Sequence, residues 1–349
     1  MHEVEIAGRK VGAGQPCFII AEAGVNHNGD MDIAHRLVDV AVTSGADAIK
    51  FQTFKAERLV TENAPKADYQ LRTTGVSESL YEMLQRLELS VEAHHDLMAY
   101  AREKGIIFMS TPFDEQSADF LAKLGLEVFK TPSGDLTNLP FLEHVASKGK
   151  PVIISTGMSC LGEVEAAVNV FERAGNEDII LLHCTSSYPA SPEDVNLFAM
   201  QTMSRAFNHL AGYSDHTLGI EIPLAAVALG AKVIEKHITL DRHLPGPDQS
   251  ASLEPDELAA MVRGIRKIER ALGSGRKTPA RCEVNTVLAA RKSLVAAMDI
   301  PAGAVIKLDM IAIKRPGTGL VPSMRDYLTG RTARISIPKG TVIRLEMMI

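Results

Sequence analysis

Eight times along the first 240 residues an apolar run breaks into polar side chains at its end, and each run is followed by a segment of helical periodicity. The runs are CFIIAEAG, AIKFQTF, IIFMSTPF, EVFKTPSG, PVIISTGMS, IILLHCTSSYP, LAGYSDH and KVIEKHITL. Continuous apolar character is what strands buried on both faces require, so the sheet is parallel and covered by its own helices. No GxGxxG follows the first run, and the regular repetition favours a closed (β/α)8 barrel of the TIM type over an open doubly wound sheet. Residues 4–11, alternating around Gly8, read as a hairpin closing one end of it. Asp30 caps the first helix, Gly45 stops it, and Ile33, Leu37, Val40 and Ala41 form its inward stripe. Ser191, with Pro192, Glu193 and Asp194 behind it, reads as the cap of a later one.

In a parallel barrel the strand ends share one rim, so the polar endings belong to one place. The last two runs show the pattern best. A period of two puts Val233, Glu235, His237 and Thr239 on one face of VIEKHITL, while Ser214 and His216 share a face of the preceding run. If those strands are neighbours, His216, His237 and Glu235 meet where a divalent cation could sit, although either histidine alone reads more readily as a hydrogen-bonded packing residue. The other runs bring Glu22, Lys50, Gln52, Thr111, Lys130, Ser133, Ser155, His183 and Tyr188 to the same rim. Two ammonium groups among hydroxyls suit a substrate carrying phosphate and carboxylate. The long connection 55–90, with a helix expected over 78–87, is placed to cover the site, and its Tyr69 and Gln70 are secondary candidates for substrate contact.

Composition narrows the classes. A net charge of -6 provides no basic footprint for nucleic acid, and no apolar stretch is long enough to span a membrane. Cys17, Cys160, Cys184 and Cys282 are scattered without a CxxC pair, which points to reduced thiols and a cytoplasmic location.

Beyond the barrel, expected over 1–272, residues 273–286 lose their periodicity and read as a linker. In the remainder, 287–349, IPAGAVIKLDM at 300–310 recurs as IPKGTVIRLEM at 337–347. Two copies of one short unit imply a small pseudo-symmetric β-rich domain.

Taken as a set and in order, AEAGVNHNGD, KFQTFKA, STPFD, KTPSGDLTNLP, ISTGM, HCTSSYP, GYSDHTLG, IEKHITLD and LPGPD resemble the sialic acid synthase family, and the terminal repeat resembles its antifreeze-like (SAF) domain. The resemblance implies a synthase that condenses phosphoenolpyruvate with an N-acetylated mannose-type sugar, releasing phosphate and forming a nonulosonic acid. It implies Mn2+ or Mg2+ held by His216 and His237, and a phosphoenolpyruvate pocket of Lys50, Thr111, Lys130, Ser133, Ser155 and Ser214. The sugar would meet Glu22, Gln52, Tyr188 and Asp248, with Glu22, Glu235 and His237 as the catalytic group. Arg315, otherwise a solvated loop charge, matches an arginine that reaches a neighbouring subunit's barrel in that family, which implies a domain-swapped homodimer. The primary expectation is an N-acetylneuraminate synthase, the alternative an N,N'-diacetyllegionaminate synthase. Ser186, where some neuraminate synthases carry asparagine, bears on the sugar preference. Two further classes are a condensing enzyme for a phosphorylated sugar, which would ordinarily lack the terminal domain, and a non-catalytic sugar- or ice-binding protein.

Overall fold

The structure, a computed structural model, describes residues 3–75 and 77–349. It divides into two compact units, Met1–Gly273 and Ser274–Ile349.

In the first unit, β1 (Val4–Ile6) and β2 (Arg9–Val11) form the antiparallel hairpin. Among the described residues eight parallel strands follow: β3 (Phe18–Gly24), β4 (Ala48–Thr53), β5 (Ile107–Pro112), β6 (Phe129–Thr131), β7 (Val152–Ser155), β8 (Ile179–Cys184), β9 (Leu210–Asp215) and β10 (Val233–His237). Their hydrogen-bonded order is β5-β4-β3-β10-β9-β8-β7-β6. The first barrel strand therefore pairs with the last, as barrel closure demands, and β5 and β6 flank a seam with no ladder between them among the described residues.

Strand periodicity sorts each run into two cores. Phe18, Ile20, Met109, Ile153, Ile180 and Val233 point inward and pack on Val4, Ile6 and Val11 of the hairpin, which plugs the end where the strands begin. Ile19, Ala21, Ile49, Phe51, Ile154 and Leu181 point outward into the helical layer, meeting Leu37, Leu97, Leu121, Val168 and Ile265. Each Ile, Leu, Val, Met or Phe among them, removed from water, contributes roughly 1.5–3 kcal/mol. Gly212 marks how tight the interior is: a Cβ there would lie 2.3 Å from the carbonyl oxygen of Val233 and 2.7 Å from Leu182. Followed past the plug, the inward series turn polar and reach Glu22, Lys50, Thr111, Lys130, Ser155, Ser214 and Glu235.

The helix Met31–Ser44 starts on Asp30, whose carboxylate accepts from the Asp32 and Ile33 amides, and ends at Gly45 with φ 79°. Its buried residues are Ala34, Leu37, Val38, Ala41 and Ser44, so Leu37 and Ala41 of the expected stripe are buried, while Ile33 and Val40 are partly buried at the margin of the same core. The covering helix is Leu80–Leu87, capped by Ser79. The helix expected behind Ser191 is a correction: Pro192–Asp194 forms only a 3-10 turn, the Ser191 hydroxyl bonds Glu193 instead of capping, and Asn196 in the left-handed region delays the helix to Phe198–Phe207.

In the second unit, β11 (Ser293–Ala296) and β12 (Ile311–Lys314) are antiparallel. The expected linker region includes the start of a helix, Val284–Ala290. The two repeat copies behave alike. Ile300 and Ile337 exchange backbone hydrogen bonds of 2.9 and 2.8 Å, Gly303 and Gly340 both take φ near 85°, and 3-10 turns fall at Leu308–Met310 and Leu345–Met347. Ile306 and Ile343, at matched positions, enter one core with Leu294 and Leu328. Arg315, directly after β12, is exposed.

Candidate active site

The inward polar residues line a cavity of about 460 Å³ at the mouth of the barrel. Its floor is ionic and nearly dry. Lys50 Nζ is 2.8 Å from Glu22 Oε2, donates to Thr111 Oγ1 at 2.7 Å and stands 3.7 Å from Glu235 Oε1. Lys130 Nζ donates to Ser155 Oγ at 2.6 Å and stands 3.7 Å from the same Glu235 oxygen, which also accepts from Ser214 at 3.3 Å. Ser133 Oγ accepts from the Gly157 amide at 3.0 Å and lies 3.0 Å from Cys184 Sγ. Gln52 Nε2 donates to Glu22 at 3.3 Å.

Burial separates the two carboxylates. It pushes Glu22 well above the usual carboxylate range, against Lys50 and with the neighbouring Glu235 charge adding to the rise. For Glu235 the same burial is outweighed by Lys130 and Lys50, which hold it below that range. Burial lowers Lys130 despite Glu235, whereas Lys50 is raised because Glu22 and Glu235 outweigh its burial. Two carboxyl groups driven apart in proton affinity can divide acid and base duties. Oε2 of Glu235 is buried without a hydrogen-bond partner.

Beside this floor the rings of His216 and His237 lie 5.5 Å apart, centre to centre. Since a carbonyl only accepts, His216 Nδ1–H donates to the Thr185 oxygen at 2.7 Å, which leaves the Nε2 lone pair free. Nδ1 of His237 is buried without a hydrogen bond, 3.9 Å from Asp248. Burial lowers both imidazoles, His237 furthest, so both are neutral and able to ligate. This donor set fits a divalent cation, with two nitrogens from the protein; no cluster of three or more His, Cys, Asp or Glu is arranged for a metal among the described residues.

Tyr188 lies over the imidazoles, 4.1 Å from the His216 ring and 5.6 Å from that of His237. Asp248 is held at the rim by its own backbone, whose carbonyl accepts from Ser252 at 2.7 Å, while Asn26 donates to Ser252 and to the Ile238 carbonyl. Burial raises its carboxyl to about 7. Tyr69, a secondary candidate from sequence, lies in the helix Asp68–Thr74 and stacks on Tyr188 at 4.9 Å, and Thr73 of the same helix donates to the Pro247 carbonyl at 3.3 Å. The covering segment thus touches the site at two points. An apolar wall of Val25, Phe54, Leu80, Met83, Leu84, Leu87 and Phe113 completes the cavity, a feature that single residues in the sequence did not signal. His183 is a correction to the expected rim: its ring turns outward and bonds the Val195 carbonyl, because it alternates with inward Leu182 and Cys184. Of the residues expected at the site, the first unit gathers Glu22, Lys50, Gln52, Thr111, Lys130, Ser133, Ser155, Tyr188, Ser214, His216, Glu235, His237 and Asp248 around one cavity; Arg315 belongs to the second unit.

Residues 37–277 match the model of the NeuB family, and residues 291–348 match that of the SAF domain. The chain belongs to the NeuB family. It is 49% identical over 339 residues to the N,N'-diacetyllegionaminic acid synthase of Legionella pneumophila, covering 96% of this chain and 95% of that protein. To the human N-acetylneuraminate-9-phosphate synthase it is 40% identical, covering 99% of this chain and 96% of that one. Among solved structures, the N-acetylneuraminic acid synthetase of Leptospira borgpetersenii aligns with TM-score 0.73 and 38% identity, over 82% of this chain and 95% of its own. The NeuB-family chain is accordingly an enzyme, a nonulosonic acid synthase with a barrel and a terminal SAF domain. The human relative corrects one expectation. A protein named for a 9-phosphate product matches this chain almost end to end, so the terminal domain does not exclude a phosphorylated sugar. No helix among the described residues is long and apolar enough to cross a membrane.

Proposed function

We propose that this synthase condenses phosphoenolpyruvate with 2,4-diacetamido-2,4,6-trideoxymannose, giving N,N'-diacetyllegionaminate and phosphate. The observation that carries the condensation is the pair of buried lysines on either side of Glu235, set among the hydroxyls of Thr111, Ser133, Ser155 and Ser214, a receptor for a small polyanion. The preference among sugars is supported by the higher identity to the legionaminic acid synthase, 49% against 40% for the human protein. It is supported also by the cavity lining, where Lys50 and Lys130 are the only cations among the described residues and the covering side is apolar. A sugar phosphate would need a second cationic cluster, whereas a methyl terminus would not.

In this reading carbon three of phosphoenolpyruvate bonds to the sugar aldehyde carbon, and the aldehyde oxygen gains a proton. Water adds to carbon two, giving up one proton, and cleavage of the carbon–oxygen bond to phosphate, with the new hydroxyl's proton passing to the departing phosphate, leaves the ketone. Glu22, whose raised proton affinity places it near the working pH, takes the proton from water, while Glu235 stays ionised and handles charge beside the two lysines. His216 and His237 would hold Mn2+ or Mg2+, which supplies polarisation of a carbonyl oxygen. Gln52, Tyr188 and Asp248 orient the sugar. The reading includes a cytoplasmic enzyme working as a domain-swapped homodimer, in which Arg315 of one subunit meets the N-acetyl group bound in the other.

Phosphate release from phosphoenolpyruvate, measured with Mn2+ and each of three sugars, tests the proposal. The expected order is the diacetamido trideoxy sugar first, N-acetylmannosamine second and its 6-phosphate last. Faster turnover of N-acetylmannosamine would return the assignment to N-acetylneuraminate synthase, and release with none of the three would end the reading.

A further inference from the structure

Behind the two imidazoles, on the opposite face of the same strands, lies an ion pair that the chemistry above does not use. Lys236 and Asp215 stand directly opposite each other in the β9–β10 ladder. Lys236 Nζ is 2.5 Å from Asp215 Oδ2, and both side chains are wholly excluded from solvent. The same ammonium also donates to the Thr217 carbonyl. Asp215 in turn closes the bend after β9: its Oδ1 accepts from the Thr217 amide at 3.1 Å and from the Thr217 hydroxyl at 2.9 Å. A buried pair of this kind adds little net stability over an apolar substitute, so its stability alone does not account for it.

Its position in the chain does. His216 follows Asp215 and His237 follows Lys236, so each member of the pair is joined through one peptide bond to one imidazole. Alternation sends the pair outward and the rings inward, one staple holding both strand ends from behind. The lysine bridges further, since the Thr217 carbonyl it binds lies just beyond His216. Between them these bonds fix the backbone on both sides of His216 relative to that of His237, and the Thr185 contact fixes the ring itself. A cation shared by two rings is sensitive to such fixing, because ligand orientation sets its affinity.

We infer that Lys236 and Asp215 are positioning residues that set the spacing of His216 and His237 for a divalent cation. The inference rests on the metal reading, and its test separates the two. Calorimetric titration of the full chain with Mn2+ compares the wild type with Lys236→Met and with the milder Thr217→Val, which removes only the hydroxyl bonds to Asp215. Val168→Ala, a core truncation in the helical layer, controls for lost stability. Lys236→Met should raise the Mn2+ dissociation constant about 10-fold or more, the loss typical of groups behind metal ligands. Thr217→Val should shift it in the same direction by less, and serves alone if Lys236→Met does not fold, whereas Val168→Ala should lower the melting temperature without moving the constant. Wild-type affinity in the folded variants, or an equal loss in Val168→Ala, overturns the staple while leaving the metal reading intact. A wild-type chain that binds no Mn2+ overturns both.

Discussion

Lys130 shares Glu235 with Lys50: each ammonium stands 3.7 Å from the same carboxylate oxygen, and all three side chains are almost completely buried. That carboxylate thus lies between both cations, while Glu22 is a second partner of Lys50 at 2.8 Å. Glu235→Gln keeps the shape and removes that anion, so phosphate release should fall about 100-fold or more, in keeping with the loss of a preorganised charge at the reacting centre. Calorimetry should still detect phosphoenolpyruvate binding. Full turnover in the variant would remove Glu235 from the chemistry.

Metal removal gives a second test. With neutral His216 and His237 as the only imidazoles facing the cavity among the described residues, chelation followed by desalting should abolish phosphate release, and Mn2+ should restore it. Activity that survives rigorous chelation would defeat the role given to the two rings.

Asp248 predicts a pH dependence of stability. Burial raises its carboxyl to about 7, above the unfolded value, so between these limits the folded chain binds a proton that the unfolded chain has released. The stability from this proton is present at acid pH and lost as pH rises through about 7. Asp248→Asn, which needs no proton, should therefore melt about 3 °C or more above the wild type at pH 8, with the difference closing toward pH 5. A constant difference across that range would show that Asp248 does not titrate there.

The stacking of Tyr69 on Tyr188 brings the helix Asp68–Thr74 to the proposed sugar half of the cavity. Tyr69→Ala should raise KM for the sugar by about 3- to 10-fold, the worth of one aromatic pair, with phosphoenolpyruvate affinity unchanged. An equal effect on both substrates would place Tyr69 outside the sugar half of the cavity.

Arg315→Ala addresses the second unit. Sugar KM should rise well above the wild-type value while phosphoenolpyruvate still binds, and sedimentation should report the same assembly state as the wild type. Parallel loss of both substrates would count against the proposed contact with the N-acetyl group.

Much of this was legible in the sequence because parallel strands expose their alternation. The inward series that ends at Glu22, Lys50, Lys130 and Glu235 can be counted off from Phe18, Ala48, Val128 and Val233 in steps of two, and the repeat at 300 and 337 announced its own symmetry. What was missed had separate causes. His183 lies in a polar strand ending like the others, yet its parity sends it outward. Tyr69 sits in a long connection with no period to orient it, and its importance comes from Tyr188, far along the chain. Ser191 carried every local mark of a helix cap, but the turn at Asn196 overrode them.

The seam between β5 and β6 has a consequence for how ligands act on the barrel. Thr111, the partner of Lys50, belongs to one bank and Lys130 to the other, so the proposed anion receptor straddles the one junction in the ring that, among the described residues, backbone ladders leave unsewn. A small molecule gripped from both banks acts as the missing suture. Amide exchange along Ile107–Pro112 and Phe129–Thr131 should slow on its arrival more than elsewhere in the wall, making the substrate itself a structural member of the enzyme.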